Sequence, residues 1–156
     1  MIGAALALSA CGAQQPGAAA IVNDTIIRDQ DVQTVASEVN KVAKVSVNDV
    51  LVSMILAPYV LAEAERTGKT VSAAQARKVI AKVSDPSAPT ITFVRMQLAV
   101  QQLDEASQGA IIAALGKARV TVNPRYGTFD SKKVELTATA ANWFVKSGAT
   151  TPTPPG

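Results

Sequence analysis

Carboxylates are the side chains that could carry acid–base chemistry in this chain, because none of its 156 residues is a histidine. Without histidine, the chain can form neither Ser-His nor Cys-His nucleophilic sites, and no histidine-based zinc site. Each close pair of carboxylates is predicted at a helix start or on a solvated helix face, where acidic residues are ordinary. The pairs are Asp29/Asp31, Glu63/Glu65 and Asp104/Glu105. No neighbouring pattern predicts a pocket that would shift their pKa values, and there is no phosphate-binding glycine loop. We therefore expect a protein that is not an enzyme and uses no metal or cofactor.

The lone cysteine, Cys11, ends a short apolar segment and follows a leucine and two small residues in the run Leu8-Ser9-Ala10-Cys11. This run resembles a bacterial lipobox, in which the cysteine is lipidated and becomes the mature N-terminus. The resemblance implies a signal segment over residues 1–10 and a lipidated tether over 11–18, rich in Gln, Pro and Gly. The alternative is a small buried thiol. Because the signal segment lacks the positive charge of export signals, we expect its n-region to be truncated here.

The expected location is extracytoplasmic, with the protein anchored to the outer face of the cell membrane through lipid on Cys11. The first ten residues are too few for a transmembrane helix, which needs about 20. No later stretch is predicted to be long and uncharged enough to span a bilayer. Membrane contact is therefore expected through the lipid alone.

Composition predicts a single domain with an aliphatic core, since 48% of the residues are hydrophobic and only 4% are aromatic. The formal net charge is +3, and the basic residues are scattered along the chain. A nucleic-acid surface normally gathers them on one face or helix, so we expect no nucleic-acid partner. With one cysteine, no disulfide can form within the chain.

The N-terminal part of the domain is predicted as a hairpin followed by a helix. Residues 19–22 and 25–27 are β-prone runs separated by Asn23-Asp24, which suit a tight turn. Asp29 is then expected to cap a helix from Gln30 to Val45, with apolar residues at helical spacing.

A second helix is predicted from the cap Ser46 to Thr67, with Gly68 as its stop signal. Between Val50 and Leu61 it has almost no polar face, and Pro58 is expected to kink it. Such a helix is either enclosed by the domain or offers apolar surface to a ligand.

Three more helices and a strand are expected after it. The third helix begins at the capping box of Ser72 and runs to Val83, a Pro-rich break covers residues 85–89, and apolar stripes predict a fourth helix beyond it. Ala110 to Leu115 predicts a fifth helix, and the alternating run 119–122 predicts a strand that pairs with the N-terminal hairpin. The predicted class is α+β, mainly α, with about five helices and a small sheet.

Beyond these elements, Trp143-Phe144 is expected to pack on the core within a C-terminal extension, residues 129–145. Residues 146–156 are expected to be a disordered Pro/Thr tail.

Three stretches resemble the N-terminal, substrate-binding domain of the SurA/PrsA class of extracytoplasmic foldases. Residues 20–27 with Asp31-Val32 are similar to the family's opening Val-Asn-Gly-x-x-Ile, with Asp24 in place of the glycine. Residues 55–72 are similar to the family pattern Leu-Leu-x-Glu-Ala-x-x-x-Gly-x-x-Val-Ser, the most specific match. Residues 120–127 resemble the closing strand and turn of SurA-like lipoproteins.

The resemblance implies a polypeptide-binding domain over residues 19–128 that holds unfolded exported polypeptides against an apolar surface. We expect the family's parvulin-type isomerase domain to be missing, because about 30 residues follow Gly127 in this sequence and a domain needs more. We therefore expect a chaperone without isomerase activity. An adaptor lipoprotein that docks one folded partner remains the alternative, and a vestigial isomerase is nearly excluded by the residue inventory.

Four side chains are candidates for contact with such polypeptides: Met54, Tyr59, Phe93 and Met96. Flexible methionines and amphipathic aromatics suit varied clients. The alternative for each of them is a place in the hydrophobic core.

Overall fold

The computed structural model describes residues 15–137, and Cys11, the signal segment, Trp143-Phe144 and the Pro/Thr tail lie outside them. Within this range the chain forms five helices and five strands, which confirms the α+β, mainly α class. In chain order they are β1 (Ala18–Val22), β2 (Thr25–Arg28), α1 (Asp29–Val39), α2 (Val47–Arg66), α3 (Ala73–Val79), α4 (Ala88–Val100), α5 (Glu105–Leu115), β3 (Val120–Val122), β4 (Thr128–Asp130) and β5 (Glu135–Thr137).

The N-terminal hairpin and the strand near the end of the domain form one antiparallel sheet in the order β2-β1-β3. Asn23 takes a left-handed conformation at φ 54° in the hairpin turn, which asparagine tolerates better than most residues. Val22 pairs with Thr25 on one side and with Val120 on the other. The predicted pairing of residues 120–122 with the hairpin is therefore confirmed. Strands β4 and β5 form a second small hairpin that the sequence did not predict.

Helix α1 is shorter than predicted at its C-terminal end and begins one residue earlier. Arg28, in extended conformation, precedes the helix, so Asp29 is the first helical residue and not its cap. The helix ends at Val39 because the Asn40 side chain replaces its hydrogen bonds: Nδ2 donates to the carbonyls of Ala36 and Val45, and Oδ1 accepts from the Val45 N–H. Such side-chain bonds compete with helix continuation.

Helix α2 has the ends that the sequence predicts. The Ser46 hydroxyl accepts from the Asp49 N–H over 3.1 Å at its start. At its end Gly68 takes φ +70°, while the N–H of Lys69 donates to the carbonyl of Ala64 over 2.7 Å. This closing pattern favours glycine because it needs a left-handed residue.

The predicted bounds of the next three helices need correction. The capping box of Ser72 and Gln75 is present, but α3 ends at Val79, because the chain then turns to bury Ile80 and Val83. Helix α4 begins within the predicted break, since Pro89 occupies the first turn, where its missing N–H costs nothing. Helix α5 begins well before Ala110, because the Asp104 carboxylate accepts from the Ser107 N–H over 2.9 Å and caps it.

The core is built around α2, which packs against α1, α4, α5 and β1. Leu51 and Ile55 on α2 are fully buried, as are Val32 and Val35 on α1. Contrary to the expectation that no later segment qualifies, α2 is long and apolar enough to cross a membrane by length and composition alone. It contacts five other elements of the described structure, and Val50, Leu51 and Ile55 on it are fully buried.

Glu38 ties α1 to the start of α4. Its Oε2 accepts hydrogen bonds of 3.0 Å from both the N–H and the hydroxyl of Ser87, the residue that caps α4. Partial burial raises the pKa of Glu38, but hydrogen bonds involving Thr90 and Ser87 outweigh it, and the net pKa lies below the ordinary 4.5. The ionised carboxylate is therefore the form that stabilises this contact.

We expect Glu38→Gln to reduce stability at neutral pH and to flatten the acid side of the stability curve. A group with a lowered folded pKa stabilises the native state above its unfolded pKa, and this stabilisation is lost as pH falls through the folded pKa. The difference in free energy of unfolding between wild type and Glu38→Gln should therefore shrink below pH 4.5. Urea denaturation across pH measures it, with the exposed Glu65→Gln as control. A difference that stays constant with pH would contradict the role assigned to Glu38.

Candidate functional site

An open groove with a volume of about 650 Å³ lies between the N-terminal hairpin, the second half of α2 and α5. Most of its lining is apolar. The sheet contributes Val22 and Ile27, α2 contributes Met54, Ala57, Pro58, Tyr59, Leu61 and Ala62, and α5 contributes Ala110, Ile111 and Ala114. A cavity of this size and character is typical of a binding site.

Small side chains and one proline leave the groove open. Ala110 and Ala114 lie one helical turn apart on the groove side of α5, and both are exposed. The helix is held to the domain mainly through α2, by the buried side chains of Ser107, Ile111 and Leu115. On α2, Pro58 is exposed at the groove and has no N–H to donate within the helix. The walls therefore present alkyl surface without filling the space between them.

A polar contact fixes the hairpin tip against α2 at one end of the groove. The Asn23 Nδ2 donates to the Tyr59 hydroxyl over 3.4 Å, and the Asn23 Oδ1 accepts from the Arg119 N–H over 3.1 Å. Tyr59 is half-buried, so its ring faces the groove while its hydroxyl is bonded at the rim. This arrangement gives the groove an amphipathic wall.

The charged lining residues of the groove are Glu63 and Arg66, and they neutralise each other. Glu63 is 8% exposed, and its carboxylate accepts from Arg66 Nε over 2.8 Å and from Nη2 over 2.5 Å. These bonds hold the pKa of Glu63 below its usual range and raise the pKa of Arg66. The prediction that Glu63 lies on a solvated helix face is wrong, because α2 turns this side chain toward α5. The groove has no net charge and suits apolar ligands.

The carboxylates of the other two pairs, Asp29/Asp31 and Asp104/Glu105, lie at helix starts, as the sequence predicts. Asp29 and Asp31 occupy the first turn of α1, and Asp104 caps α5 with Glu105 beside it. A hydrogen bond from the Ser107 N–H lowers the pKa of Asp104. Asp29 binds the Arg125 guanidinium and the Tyr126 hydroxyl, and thereby ties α1 to the turn after β3. Among residues 15–137, no three ligating side chains come together in a way that could hold a metal ion.

The structure divides the four predicted contact residues into two groups. Met54 and Tyr59 are half-buried and line the groove. Phe93 and Met96 are only 5% and 2% exposed, so their assignment as contact residues is corrected to the core. The reason is that α4 packs against three helices, α1, α2 and α3, and its apolar stripes are consumed by those contacts.

Sequence reasoning missed the groove residues outside α2. The sequence predicts Ile27 only as a strand residue and Ala110 and Ala114 only as helical residues, whereas all three line the groove. The sequence of α5 contains one indication of this surface, because the helix has no charged residue after Glu105. In the structure only Ser107, Ile111 and Leu115 of this helix are buried. An uncharged helix with so little burial indicates apolar surface available for binding.

Comparison of the chain with protein-family models, with curated proteins and with solved structures gives no match.

We expect Phe93→Ser and Met96→Ser to destabilise the fold much more than Met54→Ser or Tyr59→Ser. Removing a fully buried Phe or Met costs about 2–5 kcal/mol, and a half-buried side chain loses less. Chemical denaturation of the four variants measures this. If Phe93→Ser unfolded at the wild-type denaturant concentration, its place in the core would be refuted.

Proposed function

We propose that this chain holds unfolded exported polypeptides in the groove between the hairpin, α2 and α5, as a chaperone without isomerase activity. The observation that carries the proposal is the open, uncharged, apolar groove of about 650 Å³. The resemblance to the SurA/PrsA class supports it, because the most specific matching stretch, residues 55–72, forms much of the groove wall.

Holding by this groove is a matter of burial and needs no bond chemistry. Apolar client side chains that enter the groove leave water, which is worth about 25 cal/mol for each Å² of apolar surface removed. Met54 can change rotamer to fit different side chains, and the Tyr59 ring offers a flat apolar face. The paired Glu63 and Arg66 impose no charge requirement on what enters. These features favour low sequence specificity, which a holding chaperone needs.

The proposed location is the outer face of the cell membrane, with the domain tethered through lipid on Cys11. The lipobox-like run before Cys11 supports this, and the described domain begins a few residues after it. A tethered groove would meet polypeptides as they emerge from the membrane.

A charge placed in the groove is expected to abolish holding without unfolding the protein. Ala114→Glu puts a carboxylate among the apolar lining residues, where desolvation opposes binding of an apolar segment. Ala113→Glu is the matched control, since Ala113 is also exposed on α5 but is not a lining residue. Both changes cost little helix stability. The measurement is light scattering of several unrelated denatured proteins diluted into each variant.

Wild type and Ala113→Glu should delay aggregation of every client, and Ala114→Glu should not. If the two variants behave alike, the groove is not the binding site. If wild type holds no unrelated client and instead captures one folded protein, the adaptor function replaces the chaperone function.

Lipidation is tested separately on protein extracted from its native membrane. Intact-mass analysis should show cleavage before Cys11 and the added mass of a diacylglyceryl group. Cys11→Ala should leave the protein unprocessed or release it from the membrane. Protein that remains soluble with residues 1–10 attached would contradict the proposed anchor.

A further inference from the structure

Strand β2 is an edge of the three-stranded sheet, and over residues 15–137 it pairs on one side only. The direction in which the backbone groups of β2 point can be worked out from the hydrogen bonds between β1 and β3. The Asn23 N–H donates to the Arg119 carbonyl over 2.7 Å, and the Ala19 carbonyl accepts from the Asn123 N–H over 2.8 Å. Backbone groups along an antiparallel strand point alternately to its two neighbours. Ala19 and Asn23 therefore face β3, and the residues between them at even positions face β2.

This alternation leaves Ile26 with its backbone polar groups turned outward. The pairs that exchange hydrogen bonds across β1 and β2 are Ala20 with Ile27 and Val22 with Thr25. Ile26 lies between them, opposite Ile21, so its N–H and carbonyl point away from β1. An edge with free backbone groups can accept a further strand.

The two faces of β2 border two different hollows. Thr25 and Ile27 line the apolar groove. Ile26 and Arg28, which alternate with them, line a second hollow of about 480 Å³ on the opposite face. Ile26 is 42% exposed there. Side chains of a strand added beside β2 would point alternately into these two hollows.

Among the described residues, 15–137, Arg28 in the second hollow has no ion-pair partner. Arg28 is exposed, its side chain makes no capping bond to α1, and none of the ion pairs in the described part of the chain includes it. The other charged lining residue, Asp29, is occupied by Arg125 and Tyr126. Charge complementarity in this hollow therefore favours an acidic side chain near Arg28.

We propose that β2 binds client polypeptide as an added antiparallel strand, in which apolar side chains enter the groove and the alternate side chains, preferably acidic, face Arg28. The proposal rests on the proposed holding function and specifies its substrate: an extended segment with alternating character, not a helix. Backbone bonds to Ile26 supply affinity for any sequence, and the two hollows select the side chains. Antiparallel addition is favoured because it is the more stable pairing.

The test uses short peptides of alternating leucine and glutamate, N-methylated either at every glutamate or at every leucine. Residues opposite each other in an antiparallel pair point to the same face, so the glutamates would lie opposite Ile26 and Arg28. Their N–H groups would face β2, while those of the leucines would face solvent. Calorimetric titration of the whole protein should show the glutamate-methylated peptide binding about tenfold more weakly than the unmodified one, and the leucine-methylated peptide binding equally well.

A charge exchange on the protein tests the second hollow. Arg28→Glu should weaken binding of the leucine–glutamate peptide and strengthen binding of a leucine–lysine peptide. Lys78→Glu, the same charge change at an exposed site on α3, should alter neither. Equal effects of the two variants would overturn the assignment of Arg28.

The outcomes separate this inference from the function on which it rests. If denatured proteins are held but both methylated peptides bind alike, or no short peptide binds, strand addition is refuted and holding stands. If neither denatured proteins nor peptides bind, holding itself is refuted.

Discussion

The apolar surface of α2 is the constraint on which the rest of the structure depends. A 20-residue helix with so few polar side chains must be covered by other elements if the domain is to be stable in water. Helices α1 and α4 and strand β1 cover part of it, and Leu51, Val50 and Ile55 are fully buried as a result. Helix α5 covers the remainder only in part, through Ile111 and Leu115. The groove is lined by part of the α2 surface that these contacts leave uncovered.

Polar contacts hold the covering elements in place without adding charge to the groove. Glu38 and Ser87 join α1 to α4, and Asp29 joins α1 to the turn after β3. Within the groove wall, Glu63 would be costly as a lone buried charge, and Arg66 removes that cost by occupying both carboxylate oxygens. The groove can therefore remain apolar although it is bounded by a helix that ends in charged residues.

Much of this fold could be predicted from local sequence signals. Ser46, Ser72 and Gly68 have side-chain or backbone properties that specify helix ends whatever surrounds them, and α2 and α3 begin, and α2 ends, where they predict. The pairing of β3 followed from the need to satisfy its backbone groups.

The sequence-based predictions are wrong or incomplete where tertiary contacts determine the structure. The side chain of Asn40 ends α1, although the apolar residues continue at helical spacing beyond that point. Neither strand β4 nor strand β5 has a periodic sequence pattern long enough to detect. Sequence spacing placed Phe93 and Met96 on an apolar stripe but could not show that three helices cover it. The groove itself joins β2, α2 and α5, which are distant in sequence, so only Met54 and Tyr59 on the one continuous apolar helix could be found in advance.

The central claim, that the groove receives polypeptide, is tested most directly by methyl NMR spectra recorded while a permanently unfolded client protein is added. The methyl resonances of Met54, Ile27 and Ala114, which line the groove on three different elements, should shift together and saturate at one client concentration. Those of Val79 on α3 and Val100 on α4, which are apolar and exposed but lie outside the groove, should remain unchanged. Shifts confined to Val79 and Val100, or no shifts at all, would contradict the claim.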